Sequence, residues 1–504
     1  MSLNLVILLL LGSAGATFAG SATWNLDPVS GNWNTAANWT PAVVPDGEGD
    51  VATFDVSHTT DINVTITDVV QGGTVVSGVV FNPGASAYTI SIVPSFSLLM
   101  NGFGVTNNSG IPQNFATAVD QSHEQSSILF SGSATAGDAI YTNPGAVVKN
   151  AFGGHVDFSS TATAGTGTFF IGGGAANLAD GAGMLFFDSS SADRGTFHIS
   201  GGAVNGAGNG DVEFVNTSSA GRGTFFAEGG VGGGEGARVF FLDDSKGGSA
   251  NITVSGNGNI DLSLHNPPGV TIGAVQGDGL VFLGSTSLTV NNKSNLVFAG
   301  VIKDGGFAGG SRGAFAKSGK GRLDLTGASS YTGGTTISAG TLLIDNTSGS
   351  GTGTGAVNVN SGALGGNGTI TGPVTIGKGA AGNGAFLTPG QSFNRPGTLT
   401  ILSALTFNSD GFFNVGLSKN SVIGKVVANG VTINSGADFA FFNSRGFTVP
   451  VGTVLTIISN TAATPIAGVF DTLPDGLVFT DHGNTFQVSY EGGDGNDLTL
   501  TSIP

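Results

Sequence analysis

Apolar residues in this chain recur two positions apart in short segments, and glycine, serine, threonine and asparagine separate these segments. Phe169 and Ile171 form one such pair, and Phe197 and Ile199 form another. Residues two apart on a β-strand point to the same side of the sheet, so each pair marks a strand with one apolar face. The pattern therefore predicts an all-β chain of many short strands joined by tight turns.

The pairs in the middle of the chain repeat with a period of 28 residues, since Gly-Thr-Phe begins at Gly167, Gly195 and Gly223. A second apolar marker keeps the same step at Ile128-x-Phe130, Val156-x-Phe158, Met184-x-Phe186, Val212-x-Phe214 and Phe240-x-Leu242. A fixed period with two short strands per copy is typical of a solenoid in which each repeat forms one coil and equivalent residues stack. The sequence predicts five such coils over residues 128–267, within a rod of roughly 20 coils about 4.8 Å apart.

A different repeat follows at residues 316–342, where the sequence reads AKSGKGRLDLTGASSYTGGTTISAGTL. It resembles the autotransporter-associated β-strand repeat, also called the passenger-associated transport repeat. The matching positions are Lys317, Gly319, Gly321, Leu323, Leu325, Gly327, Tyr331, Gly333, Thr335, Gly340 and Leu342. The resemblance implies a secreted, right-handed parallel β-helix of a bacterial surface or exported protein.

Full autotransporters end in a membrane β-barrel, and the segment that leads to Pro504 leaves no room for one. We therefore expect a passenger-like protein without a C-terminal membrane barrel. Export by a separately encoded barrel protein is an alternative.

We predict five segments along the chain. Residues 1–19 read as a signal peptide, because Leu3 to Leu11 is apolar apart from Asn4 and an A-x-A spans Ala14 to Ala16. The others are an N-terminal cap with the first β coils at 20–127, the five solenoid repeats at 128–267, the autotransporter-associated repeat region at 268–400, and C-terminal β coils with a cap at 401–504. No later segment has 18 uninterrupted apolar residues, so no integral membrane segment is expected after signal removal.

Composition narrows the setting of this β chain. The 504 residues include 88 Gly, and only 10% are charged, whereas 39% are hydrophobic and can build a core. The net charge of −17 repels phosphate backbones, so no nucleic acid partner is expected. The absence of cysteine excludes disulfides, cysteine-ligated zinc and thiol nucleophiles.

All three tryptophans, Trp24, Trp33 and Trp39, fall in one short N-terminal segment. Two interpretations of this cluster are open. The rings can form a hydrophobic cap over the first coil, which we favour, or they can stack on the sugar rings of a glycan.

Near the C-terminus, residues 492–500 match the calcium nonapeptide G-G-x-G-x-D-x-U-x. Asp494 and Asp497 would supply the carboxylate oxygens that calcium prefers. A single copy is a weak signal, because such repeats share each ion between stacked turns. We favour an ordinary terminal turn and expect no cofactor.

Catalytic signatures are absent from the sequence. The six histidines are scattered, with His155 assigned to a glycine-rich turn and His198 to the outer face of a strand. We expect a secreted, extracellular or cell-surface structural or adhesive β-helix protein with no catalytic activity and with an extracellular glycan or envelope component as partner. The alternative is a polysaccharide-binding or polysaccharide-degrading β-helix, which a cluster of carboxylates on one face of the fold would favour.

Overall fold

The computed structural model describes residues 20–65, 73–121, 123–380 and 384–504. The predicted signal peptide lies outside the described residues. Within them the regular structure is β-strand, apart from two short 3₁₀ helices at Ala36–Asn38 and Lys419–Ser421. None of the helices in this described part has the length and apolar content needed to cross a bilayer.

Most strands pair in parallel with the equivalent strand one coil away, and the stack forms a β-solenoid of about 15 turns. This confirms the predicted fold class. The estimate of roughly 20 coils was too high, because many coils take up to 28 residues and the two ends form caps instead of full coils.

Four sheets make up the molecule. The first sheet has 13 strands, in the spatial order Trp39–Thr40, Ala22–Trp24, Gly47–Phe54, Thr74–Phe81, Ser97–Asn107, Ser127–Phe130, His155–Phe158, Gly183–Phe186, Asp211–Phe214, Arg238–Asp243, Asn259–His265, Leu280–Phe282 and Val301–Lys303. The second sheet runs through Asp61–Val64, Thr89–Ile92, Asn114–Thr117, Ile140–Asn143, Thr168–Ile171, Thr196–Ile199, Thr224–Ala227, Asn251–Val254, Ala274–Gly277, Leu296–Phe298, Arg322–Leu325, Thr341–Ile344, Gly362–Gly366, Ala385–Ser392, Gly411–Ser418 and Asp438–Phe442, with short antiparallel additions at Arg395–Pro396 and Val422–Ile423.

The third sheet appears only in the later coils and has eight strands, Val270–Ile272, Ser287–Asn291, Ala314–Ser318, Thr335–Ile337, Val357–Val359, Val374–Ile376, Leu405–Phe407 and Val431–Ile433. The fourth sheet has seven strands, Thr369–Ile370, Thr398–Ile401, Lys425–Ala428, Val454–Asn460, Asp497–Ile503, Asn484–Gly492 and Val478–Asp481. Its last strands pair antiparallel. The change from parallel to antiparallel pairing ends the coil stack, as a solenoid cap must.

The 28-residue period sets the register between coils. Phe158 pairs with Phe186, and Phe186 pairs with Phe214 in the next coil. The fifth copy departs from the prediction, because Phe214 pairs with Phe241 after a step of 27 residues. Phe240 therefore lies opposite Glu213 on the outer face of the sheet, and the inward marker of this coil is Val239-x-Phe241 instead of Phe240-x-Leu242.

Two phenylalanine ladders fill the interior of the repeat region. The rings of Phe186 and Phe214 are stacked with centroids 4.9 Å apart, and those of Phe197 and Phe225 are 4.5 Å apart. The ladders meet edge to face, with 6.0 Å between the centroids of Phe186 and Phe197. Stacked and edge-to-face pairs are the favoured aromatic geometries, so the same side chain in every coil stabilises the next coil.

One corner of the repeat requires a left-handed backbone. Gly165 and Gly221 occupy this corner in two coils with φ of 59° and 56°, and Asp193 takes it in the coil between them with φ of 42°. Glycine carries no Cβ penalty there, and aspartate is among the residues that tolerate the conformation. The recurring glycines of the sequence thus fix where each coil turns.

Candidate functional site: an acid–base cleft on the first sheet

Parallel stacking brings distant polar residues together on the outer face of the first sheet. One column of outward positions contains His155, Gly183, Asp211 and Arg238 in successive coils. The adjacent column contains Asp157, Leu185, Glu213 and Phe240. Residues 56 apart in sequence, such as His155 and Asp211, therefore lie only two coils apart, or about 10 Å.

These columns form one wall of a cleft of about 330 Å³, which we call the acid–base cleft. Its lining residues are Gln125, Phe152, Gly153, His155, Asp180, Gly181, Gly183, Leu185, Gly208, Asn209, Asp211, Glu213 and Glu235. The opposite wall is built from loops of successive coils that approach backbone to backbone. A Cβ on Gly153 would lie 2.4 Å from the carbonyl oxygen of Gly181, so only glycine permits this close wall.

Gly183 makes room for an imidazole in the floor of the acid–base cleft. A Cβ at this position would lie 2.7 Å from Cε1 of His155, so the histidine ring lies across the glycine. His155 Nδ1 is also 3.7 Å from Oδ1 of Asp157 on the same strand. The ring is thus positioned between a carboxylate of its own coil and those of the coils beyond.

The ionisable groups of the acid–base cleft have shifted pKa values. Burial raises the pKa of Asp211 to about 6, although the positive charges of His155 and Arg238 oppose the shift. Burial, together with the negative charge of Asp211, raises the pKa of Glu213 to about 7. Burial lowers the pKa of His155, but the hydrogen bond from Asp157 and the surrounding carboxylates outweigh it and the net pKa is raised. Three neighbouring groups thus exchange protons close to neutral pH.

The carboxylates of Asp211 and Glu213 accept no hydrogen bond from any described residue, and both side chains are partly buried. Such acceptors are usually satisfied by protein or by another donor. An incoming hydroxyl or ammonium group would supply the missing donors. The arrangement can therefore bind a polar ligand and exchange protons with it.

Arg238 is held beside the acid–base cleft by aromatic rings. Its guanidinium carbon lies 5.5 Å from the ring centre of Phe240 and 5.6 Å from that of Phe307, within cation–π range. Phe307 belongs to a loop whose backbone donates to the side chains of Asp261, at 2.8 Å, and Ser263, through Ala308 at 3.0 Å. Phe307 remains 68% exposed at this end of the cleft.

Sequence reasoning missed the acid–base cleft. The assignment of His155 to a turn was wrong, because it begins the strand His155–Phe158 and shares the outer face with Asp157. His198 does lie on an outer strand face, stacked between Phe170 and Phe226 at 5.0 Å from each. The signal for the cleft was present in the period itself, because aligning outward positions at multiples of 28 places His155 and Asp157 above Asp211 and Glu213.

The cleft carboxylates should make stability depend on pH. We expect the double variant Asp211→Asn, Glu213→Gln to gain stability relative to the wild type as pH rises from about 4 to about 7, on the order of 2 kcal/mol after solvent screening. In this window the unfolded wild type has ionised, whereas the folded protein still holds protons, so the wild type loses stability with rising pH. Urea unfolding at pH 4, 5.5 and 7.5 measures the difference.

A matched control for this pH experiment is Glu491→Gln, which removes an exposed carboxylate from the fourth sheet. Its stability difference from the wild type should not change with pH. A pH-independent difference for the double variant as well would contradict the assigned pKa shifts.

The tryptophan cluster is buried. Trp24, Trp33 and Trp39 are at most 1% exposed, and each indole nitrogen donates to a backbone carbonyl. Trp39 packs edge-on against both other indoles, at 4.9 and 5.0 Å between centroids. No face of these three rings is open to a sugar, so the stacking interpretation is wrong for this structure and the cap interpretation agrees with it.

The calcium-like nonapeptide forms a hairpin turn. Gly492 and Asp497 face each other across the antiparallel pair that closes the fourth sheet. Oδ1 of Asp497 accepts a hydrogen bond of 2.8 Å from the backbone of Asn460, whereas Asp494 is exposed at the turn. The geometry is the terminal turn that we favoured, not the stacked parallel turns of calcium repeats, and calcium binding stays untested.

The repeat-motif residues build one coil of the solenoid. Lys317 is fully buried, and its Nζ donates to the carbonyls of Ser318 and Gly319 at 2.8 Å. Burial lowers the pKa of Lys317 to about 8. A Cβ on Gly340 would lie 2.8 Å from this Nζ, so the glycine leaves space for the ammonium group.

The other motif positions are structural as well. The Tyr331 hydroxyl shares a buried hydrogen bond of 2.6 Å with Oγ1 of Thr335. Leu323, Leu325 and Leu342 are buried in the core. Gly319 has a positive φ of 78°. A Cβ at Gly321, Gly327 or Gly333 would lie within 2.3 Å of a neighbouring carbonyl oxygen. These residues form a coil and do not line the acid–base cleft.

Comparison with known proteins agrees with this assignment. A family model described as the passenger-associated-transport-repeat matches residues 315–344. No curated protein matches the chain. The matched residues form the strands Ala314–Ser318, Arg322–Leu325, Thr335–Ile337 and Thr341–Ile344, which stack within the parallel solenoid. The chain is therefore a passenger-like β-solenoid protein that carries a passenger-associated transport repeat.

Proposed function

We propose that this protein acts outside a bacterial cell, on its surface or after secretion, as a rigid structural or adhesive rod without catalytic activity. The observation that carries the proposal is the passenger-associated transport repeat inside a long parallel coil stack, because this repeat is characteristic of passenger domains. Every coil pairs with its neighbours along the stack, and such a ladder forms an extended scaffold with few exposed strand edges. Its outer faces are then available for contact with the surroundings.

Accessibility on intact cells tests the surface role. We expect protease added to intact cells of the source bacterium to degrade the protein, or the culture medium to contain it, while a cytoplasmic marker stays intact. Immunoblotting of cells, medium and lysate measures the distribution. Protein that is protected in intact cells and cleaved only after lysis would contradict the proposal.

A second candidate function is binding of an extracellular polysaccharide in the acid–base cleft. The observation that favours it is the convergence of Asp211, Glu213 and His155 on one outer face, with two carboxylates that lack donors. Polysaccharides carry many hydroxyl donors, and carboxylates with shifted pKa values are typical of sites that bind or cleave them.

A steric plug tests this second function. We expect the wild type to be retained on at least one polysaccharide of a cell-wall and matrix panel, and Gly183→Leu to lose about tenfold in affinity, because the new side chain fills the floor of the cleft. Affinity electrophoresis measures retention. Thr142→Leu adds the same side chain to the exposed outer face of the second sheet and should bind normally.

The same experiment separates binding from degradation. New reducing ends that appear with the wild type and disappear with Glu213→Gln would make the acid–base cleft catalytic and would contradict the non-catalytic role. Failure of the folded wild type to bind any polysaccharide would rule out this second candidate function and leave the structural rod.

A further inference from the structure

We infer that the acid–base cleft selects a polysaccharide that carries free amino groups, and disfavours uronic acid polymers. This inference deepens the polysaccharide-binding function proposed above and depends on it. It rests on the charge of the cleft, on its unpaired acceptors and on the shape of its walls.

The lining of the acid–base cleft has an excess of negative charge. Four carboxyl groups line it, those of Asp180, Asp211, Glu213 and Glu235, whereas His155 is the one basic side chain among the lining residues. Arg238 lies beside the cleft, but its guanidinium is occupied by two phenylalanine rings and by Asn209 Oδ1, to which it donates at 3.4 Å. A concave site lined by one sign of charge concentrates ligands of the opposite sign.

The chemistry of the two unpaired carboxylates favours an ammonium group over a hydroxyl. Asp211 and Glu213 are two apart on one strand, so both project from the same side of it. An ammonium group donates up to three hydrogen bonds and neutralises the charge that raises the pKa of Glu213. A hydroxyl supplies one donor and no charge. Uronates would add a further negative charge beside these carboxylates.

The shape of the acid–base cleft fits a polymer. Its lining comes from four successive coils, from Phe152 at one end to Glu235 at the other, a span of about 14 Å along the rod. Phe152 is 49% exposed and offers an apolar ring at this end. The strands that line the cleft are paired on both sides, so no free strand edge is present there for a basic peptide to extend.

Proton release supplies a readout that is specific for a cationic ligand. A bound ammonium lowers the pKa of Asp211 and Glu213, which then release protons between about pH 6 and 7. A neutral sugar leaves these pKa values closer to their free-protein level. The number of protons released on binding follows from calorimetry in buffers of different ionisation enthalpy.

The test compares three sets of oligosaccharides on the full chain: glucosamine oligomers with free amines, the same oligomers fully N-acetylated, and galacturonic acid oligomers. Calorimetry at pH 6.5 and low salt should give binding of the amine oligomers about tenfold tighter than the acetylated ones, with proton release and loss of affinity in salt. The double variant Asp211→Asn, Glu213→Gln should lose this preference, and Glu491→Gln should keep it.

Each other outcome overturns the inference. Equal binding of acetylated and free-amine oligomers, or tighter binding of the galacturonic acid oligomers, would remove the charge selection but leave polysaccharide binding in place. An amine preference that persists in the double variant would move the site away from the acid–base cleft. No binding of any oligomer or panel polysaccharide would overturn the inference and the second candidate function together. Unchanged circular dichroism and melting of the variants guards against misfolding.

Discussion

Replacing Phe186 by Ala is expected to lower the free energy of unfolding of the repeat region by about 3 to 5 kcal/mol. Phe186 is fully buried, and its ring stacks between Phe158 at 4.7 Å and Phe214 at 4.9 Å. It also meets the edge of Phe197 in the second ladder. The substitution therefore leaves a cavity at the crossing of both ladders, where neighbouring rings held in register by the strands cannot collapse into it.

Phe170→Ala is the matched control for this substitution, because it removes the same atoms from the outer face of the second sheet, where Phe170 is 44% exposed. We expect it to cost less than about 1 kcal/mol. Urea unfolding gives the comparison, and hydrogen exchange over residues 128–267 locates the loss, since a solenoid can unfold in segments. Equal effects of the two variants would show that the inner ladder does not carry the stability assigned to it.

The strands and most of their register were predictable from the sequence for the same reason that Phe186 is important. A spacing of two fixes the buried face of each strand, and an unvarying step of 28 aligns Phe158, Phe186 and Phe214. The fifth copy was misaligned because Phe240 and Leu242 are apolar too, so the marker also fits the wrong register. The actual step is one residue shorter, and nothing in a strand of three apolar residues reveals this.

The acid–base cleft was harder to predict because its residues do not repeat. The outward positions at one point of the coil are His155, Gly183, Asp211 and Arg238, four residues of different chemistry. Their proximity follows from the period alone, but the shifted pKa values follow from burial by the glycine loops of the opposite wall. How closely those loops approach depends on backbone contacts that composition does not show.

The tryptophan cluster shows the opposite case, in which residue type suggested a ligand and packing decided otherwise. The ring of Phe54 lies 5.8 Å from Trp33 and 5.3 Å from Phe81, so the indoles continue the aromatic core of the coils. Trp33→Ala is accordingly expected to destabilise the N-terminal cap by about 3 to 5 kcal/mol and to leave polysaccharide retention intact. Thermal melting, together with hydrogen exchange over residues 20–65, measures the loss.

Trp33→Phe separates the two contributions of this side chain to the cap. It keeps an aromatic ring against Trp39 but removes the indole N–H that donates 3.1 Å to the carbonyl of Pro45, so its cost should be smaller than that of Trp33→Ala. Loss of the cap would also uncover the first coil, whose strand Gly47–Phe54 would then present an unpaired edge and promote association between molecules. Unchanged melting of Trp33→Ala with lost polysaccharide retention would instead support a glycan-binding role for the cluster.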